Sequence, residues 1–243
     1  MPAKSHTLFH FTRSSGTLKS ILKNGFWPRY CLEDIKWIED EDNEFVAYPM
    51  VCFCDIPLSR VEEHVGFYGE FGLGLTKEWA LKNGMTPVHY ISQTSELPKS
   101  YNTLVDLLGE SDKKDQGWEV LRFMLAHTKP LEGRMSVSGE LINKEFHQES
   151  EWRYIARNEN IHDTIVGNDY KTQEFIEGRN NETKRFCMLK FLPSDIKYIF
   201  VRNDSDIPEI IKFIQSELGG YPLNDVLLLI SRVTSLESIR NDV

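Results

Sequence analysis

A single α+β domain of short mixed strands with flanking helices is the fold class that this sequence predicts, and three observations carry the prediction. Short apolar segments with strand periodicity alternate irregularly with short amphipathic ones, and no βαβ unit repeats. No internal repeat, low-complexity linker or clear boundary interrupts residues 1–243, so one domain is the simplest organisation. The composition, 40% hydrophobic, 12% aromatic and 27% charged, suits a packed core and excludes disordered, collagen-like and long coiled-coil chains.

The elements follow in chain order. Thr7 to Phe11 reads as a strand, with Leu8, His10 and Thr12 on one face and Phe9 and Phe11 on the other. Ser14 or Ser15 caps a helix whose Leu18, Ile21 and Leu22 share a face, and Gly25 stops it. The polar, acidic stretch Glu33 to Glu44 reads as a surface excursion, and Met50 to Cys54 as an apolar strand ended by Pro57. GLGLT (Gly72 to Thr76) predicts a strand, KEWALKNG a short helix closed by Gly84, and PVHYI another strand. Helices are expected near Tyr101 to Leu108 and from Gly117 to His127, the latter terminated by Pro130. Glu149 to Arg157 alternates like a strand, and His162 to Thr183 reads as a polar loop. Strands are expected again at Phe186 to Leu192 and Lys197 to Val201, a helix at Ile207 to Leu218, and an apolar run at Val226 to Ile230 before the closing segment.

Charge and cysteine usage narrow the function classes. The net charge of -9 argues against broad, non-specific attraction to nucleic acid, although a local basic groove stays open. No apolar run approaches the roughly 20 residues of a membrane span, and the amino terminus lacks a signal peptide's apolar stretch, so a cytoplasmic protein without membrane association is expected. Cys31, Cys52, Cys54 and Cys187 lack C-x-x-C spacing; buried thiols, not metal ligands, are expected. The phosphate-binding G-x-x-x-x-G-K-[ST], the dinucleotide G-x-G-x-x-G, H-E-x-x-H and the nucleophile elbow G-x-S-x-G are all missing. GEFGLG (Gly69 to Gly74) reads as a strand entry more than as a phosphate cradle.

Three groups of residues could carry chemistry. In HQESEWRYI, strand periodicity puts Glu149, Glu151 and Arg153 on one face. They are either a solvated cross-strand ion pair or carboxylates beside a cleft, placed to stabilise a sugar oxocarbenium cation. His10 is either a satisfied core histidine or a ligand-binding group. Phe67, Tyr68 and Phe71 are core aromatics or a stacking platform beside Gly69.

Taken together, LFHFT with its helix and NGFWPRY, then MVCFCDIPLS, HVGFYGEFGLGLTKEWA, FHQESEWRYI and LKFLPSDIKYIFV, resemble the AbiGi family of abortive phage-infection proteins over most of the chain. More distantly, the histidine-bearing first strand with its amphipathic helix, and the late glutamate-bearing strand, are similar to the ADP-ribosyltransferase fold of the DarT toxins and of RNA 2'-phosphotransferases. That second resemblance implies an ADP-ribosyltransferase-like split β-sandwich and an NAD-consuming toxin in phage defence. On that footing His10 would bond the adenosine ribose of NAD, with Thr12 at the pocket edge. Tyr68 would pack on nicotinamide, with Phe53 and Phe67 as competing candidates.

Glu151 would bond the nicotinamide ribose and stabilise the cation-like ribosyl group more strongly in the transition state than in the ground state, while Glu149 orients the acceptor. The implied partners are a nucleic-acid or protein acceptor and an inhibitory protein such as an antitoxin. Two departures from the family pattern stand against activity. CFC (Cys52 to Cys54) occupies the place of a Ser-Thr-Ser-like strand, and Arg153 is placed to neutralise Glu151. The alternative is therefore a catalytically inactive, antitoxin-like or phage-sensing interaction protein on the same fold.

Overall fold

The computed structural model describes residues 6–38, 44–109, 114–137, 140–166, 169–170 and 172–242. The first half of the chain runs β1 (Thr7–Thr12), α1 (Ser15–Asn24), β2 (Arg29–Asp34), β3 (Phe45–Cys54), α2 (Val61–Tyr68), β4 (Phe71–Thr76), α3 (Lys77–Lys82), β5 (Thr86–Pro87) and β6 (His89–Ile91). It continues with α4 (Leu97–Gly109), α5 (Lys114–Ala126), β7 (Thr128–Pro130), β8 (Glu132–Val137), β9 (Glu140–Glu145), β10 (Glu151–Ile155) and β11 (Ile165–Val166). The last elements are α6 (Gln173–Phe186), β12 (Ile196–Val201), α7 (Ile207–Glu217), α8 (Leu223–Ile230), β13 (Val233–Ser235) and α9 (Leu236–Asp242). The expected α+β class holds.

The chain divides into two compact units, one of Met1–Phe26, Cys52–Met85 and Leu189–Val243, the other of Trp27–Val51 and Thr86–Met188. In the first, β12 pairs with β13 in parallel and with β4 antiparallel, and β4 pairs antiparallel with β1 from Thr7↔Thr76 to Thr12↔Phe71. Gly72 and Gly74 stand opposite Phe11 and Phe9 in that register, and a Cβ at Gly72 would lie 2.7 Å from the Phe11 ring. Gly72 and Gly74 therefore serve cross-strand aromatic packing. Phe9, Phe11, Val61, Val65 and Phe200 form the core behind them. Helix α1 begins where Ser14 accepts the Thr17 amide and ends at Gly25, whose φ of 82° suits a residue without a side chain.

In the second unit β2 and β3 form an antiparallel pair from Arg29↔Met50 to Asp34↔Phe45, and β11 also pairs with β3. Strand β10 neighbours β3 and pairs antiparallel with β5. The short strands β6 and β7 run parallel, and β8 and β9 make a hairpin that the sequence pattern did not announce.

Several expectations are corrected. Much of the stretch expected to be a polar loop, His162 to Thr183, is helical: α6 starts at Gln173 and is anchored through Asn180, which accepts the Tyr30 amide on its side chain and the Trp27 indole N–H on its carbonyl. Phe186 to Leu192 is the end of that helix followed by a lone bridge between Leu189 and Phe26, not a strand. The acidic excursion Glu33 to Glu44 begins inside β2 and continues into a short turn that buries Trp37 and Ile38; residues 39–43 lie outside the described residues. The apolar run Val226 to Ile230, given no secondary structure from the sequence, lies within helix α8. No helix among the described residues is long and apolar enough to cross a membrane.

Candidate functional site

The residues with expected roles fall into three environments. His10, at the centre of β1, donates its Nδ1–H to the Cys52 carbonyl at 2.8 Å. Its ring centroid lies 5.0 Å from that of Phe26 and 5.6 Å from that of Phe53. Burial lowers the imidazole pKa from its ordinary value, against the opposing effect of the Cys52 bond, so the ring is neutral at pH 7. His10 and Phe53 are thus brought together within one aromatic cluster. Tyr68 is not part of it: it packs with the Phe9 and Phe11 core on the other face of β1, its ring 4.5 Å from His64. Thr12 ends β1 half-buried, paired with Phe71.

The glutamates belong to the second unit. Only Glu151 and Arg153 occupy the strand, at alternate positions of β10; Glu149 closes a short turn, Phe146–Glu149, and Ser150 bends the chain at a left-handed φ of 45°. The expected three-residue strand face is corrected in this respect, yet the carboxylates still converge, because one cation serves both. Lys129 on β7 places Nζ 3.1 Å from Glu151 Oε2 and 3.5 Å from Glu149 Oε2. Lys144 on β9 bonds Glu149 Oε1 at 2.5 Å.

Arg153 closes the other side. Its Nε donates to Glu151 Oε1 at 2.7 Å and one terminal nitrogen to Oε2 at 3.2 Å, while the guanidinium also meets Glu33 at 3.0 Å and the Ala126 carbonyl at 2.7 Å. Glu151 additionally donates its backbone N–H to the Tyr90 hydroxyl at 2.9 Å. Three carboxylates, Glu33, Glu149 and Glu151, thus face three cations, Lys129, Lys144 and Arg153. Arg153 is fully buried and Glu151 is 5% exposed.

Electrostatics follow from this pairing. Burial by itself raises the Glu149 pKa, but Lys129 and Lys144 outweigh it and hold the carboxyl below its ordinary value. Burial likewise works against charge on Lys129, and Glu151, Glu33 and Glu149 overcome it, so the ammonium is held more firmly than a free lysine's. Burial, reinforced by Glu151, pushes the Tyr90 hydroxyl up, which keeps it a neutral hydrogen-bonding group.

Chemically, a carboxylate that is to stabilise a ribosyl cation needs an oxygen open to the substrate. Both oxygens of Glu151 are already engaged by Lys129 and Arg153. Sequence spacing exposed Glu149, Glu151 and Arg153 but not Lys129, Lys144, Glu33 or Tyr90. A lysine framed by Thr128 and Pro130 ahead of Leu131 was the available hint for Lys129. Among the described residues no group of three or more His, Cys, Asp or Glu is placed to hold a metal ion. The four cysteines are thiols outside any disulfide, and burial pushes the Cys31 thiol up to about 11, away from reactive thiolate chemistry.

A family model described as "Putative abortive phage resistance protein AbiGi, antitoxin" matches residues 24–202, a stretch that includes Glu149, Glu151 and Arg153 but not His10. A protein of Lactococcus lactis subsp. cremoris named "Abortive phage resistance protein AbiGi" is 30% identical over 249 residues, covering 89% of this chain and 99% of that protein. No solved structure matches.

Proposed function

This chain belongs to the AbiGi family, and from that premise we propose that it serves phage defence as an antitoxin-like component that acts by binding a partner protein, without transferring ADP-ribose. One observation carries this reading: the carboxylate of Glu151 is buried and bonded on both oxygens, by Arg153 and by Lys129. A residue so placed organises a core. Freeing it for a substrate means breaking a desolvated ion pair, which costs several kcal/mol. His10 points the same way, since its ring sits among Phe26 and Phe53 with Nδ1 committed to Cys52. The family description, which includes the word antitoxin, is consistent with it.

A second reading is favoured by the convergence of Glu149 and Glu151 on a single ammonium, the kind of paired-carboxylate arrangement that NAD-dependent ADP-ribosyl transfer to a protein or nucleic acid would use. The residues do not fit a nicotinamide ribose as they stand, because Arg153 and Lys129 fill the bonding positions of Glu151. Expression of the wild-type chain alone in a host without its own locus separates the two readings. Unchanged growth, with no label in protein or nucleic acid after incubation of extract with radiolabelled NAD, is the expected result. Growth arrest that Glu151→Gln relieves, at equal levels of folded protein and with labelled product, would overturn the proposal.

A further inference from the structure

The hairpin of β8 and β9 is a two-stranded sheet whose outer edges differ. On the β8 side the Arg134 amide turns away from its strand partner Asn143 and donates to Asp34 Oδ2 at 3.3 Å, while the guanidinium bonds Asp34 at 2.8 Å and Glu44 at 2.9 Å. Inward and outward amides alternate along an antiparallel ladder, so those of Leu141, Asn143 and Glu145 point out from the far edge of β9. No described residue accepts them. Two strands alone are marginal in water, and an open row of amides and carbonyls is a template for one more strand.

The side chains along that edge specify what the added strand carries. Leu141, Asn143 and Glu145 share the exposed face, and Leu141 is 52% exposed. By the same alternation Glu145 and Glu132 form the closer, non-hydrogen-bonded kind of cross-strand pair, in which like charges repel. Glu145 accepts a hydrogen bond from the Gln148 side chain at 3.2 Å, and neither carboxylate forms an ion pair among the described residues. A cation is therefore the group that this pair lacks. A second copy of the edge brings none, because the outward face of β9 holds no lysine or arginine.

We infer that β9 receives an extended segment of a partner protein as a third strand. Its main chain bonds Leu141, Asn143 and Glu145, a lysine or arginine sits against Glu145 and Glu132, and an apolar residue four positions away covers Leu141. The inference rests on the partner-binding reading and names the edge it uses. Main-chain bonds supply the affinity, and the spacing of the basic and apolar side chains supplies the selectivity.

The test uses the full chain co-expressed with the neighbouring reading frames of its own locus, the co-purified protein being identified by mass spectrometry and its affinity measured by calorimetry. In the complex, hydrogen exchange at the amides of Leu141, Asn143 and Glu145 should slow by about tenfold or more. Asn143→Pro removes an amide that the hairpin does not use, so circular dichroism should be unchanged while affinity falls about tenfold. Glu145→Lys should weaken binding about fivefold, and a basic-to-Glu substitution in the partner segment should restore it. Glu174→Lys, the same change of charge on α6, should alter affinity by less than about twofold. Unaltered affinity in both β9 variants, or no added protection along β9, overturns the edge and leaves the partner-binding reading standing. Pairing of the chain with itself through β9 overturns the occupant. Failure of the wild-type chain to retain any protein overturns the reading and the edge with it.

Discussion

Arg153 Nε lies 2.7 Å from Glu151 Oε1, and no part of the Arg153 side chain reaches solvent. Two residues apart on one strand, these side chains point to the same face, and β10 delivers that face into the protein interior. Desolvating a guanidinium and a carboxylate is tolerable only when each is fully bonded, which explains the further partners Glu33, Lys129 and the Ala126 carbonyl. The cluster is consequently a structural keystone of its unit, sensitive to the loss of any member.

Arg153→Met should lower stability by about 3–5 kcal/mol, because it strands Glu33 and Glu151 among buried surroundings. Glu151→Gln should also destabilise, and the double variant should cost less than the sum of the singles. Urea unfolding followed by circular dichroism reads all three; a loss under about 1 kcal/mol for Arg153→Met would show that the network carries little.

The network sets a pH window. Glu149 is held below its ordinary pKa, so its contribution is present above the unfolded value of about 4.5 and is lost as pH falls through the folded one. Lys129 is held above its ordinary value of 10.5, so its contribution is complete below that pH and is lost as pH rises through the folded value. Stability from these two groups should therefore be flat between them, with Glu149→Gln weakening the acid limb. A Glu149→Gln variant whose acid limb matches wild type would contradict the assignment.

His10 should titrate below the ordinary imidazole value of 6.5 and hold the Nδ1–H tautomer when neutral, since burial lowers its pKa and the Cys52 carbonyl requires a donor. Nitrogen-15 correlation spectra of the imidazole ring report both properties. A ring that titrates near 6.5 would place His10 in contact with solvent.

Gly25 and Gly66 should respond to alanine with opposite signs. At Gly25 the φ of 82° and a Cβ position only 2.5 Å from the Leu189 carbonyl oxygen leave no space, and a loss of about 2 kcal/mol or more is expected. At Gly66, within α2, nothing lies within 4 Å, so alanine should stabilise by roughly 0.5–1 kcal/mol. Thermal midpoints of the two variants check the pair, and equal shifts would contradict it.

Local signals made the first unit readable. Ser14 and Gly25 bound α1 as caps, and the alternation in TLFHFT and the glycines of FGLGLT mark paired strands. Helix α6 stayed hidden because only Ile176, Asn180 and Thr183 are buried on it, so most of its surface is polar and the apolar period is nearly absent. Glu149 and Glu151 were legible as a pair through spacing, but their cations come from β7 and β9, and Glu33 comes from a stretch whose acidity looked superficial. Long-range pairing of buried charges leaves no local pattern, which is why the closed state of Glu151 emerged only with the tertiary structure.

The central claim is that Glu151 is held within a buried ion network and does not act on NAD. Proton NMR of millimolar NAD incubated for hours with micromolar purified wild-type protein tests it most directly. No nicotinamide release above buffer is the expected result, whereas steady release that vanishes in a folded Glu151→Gln variant would contradict it.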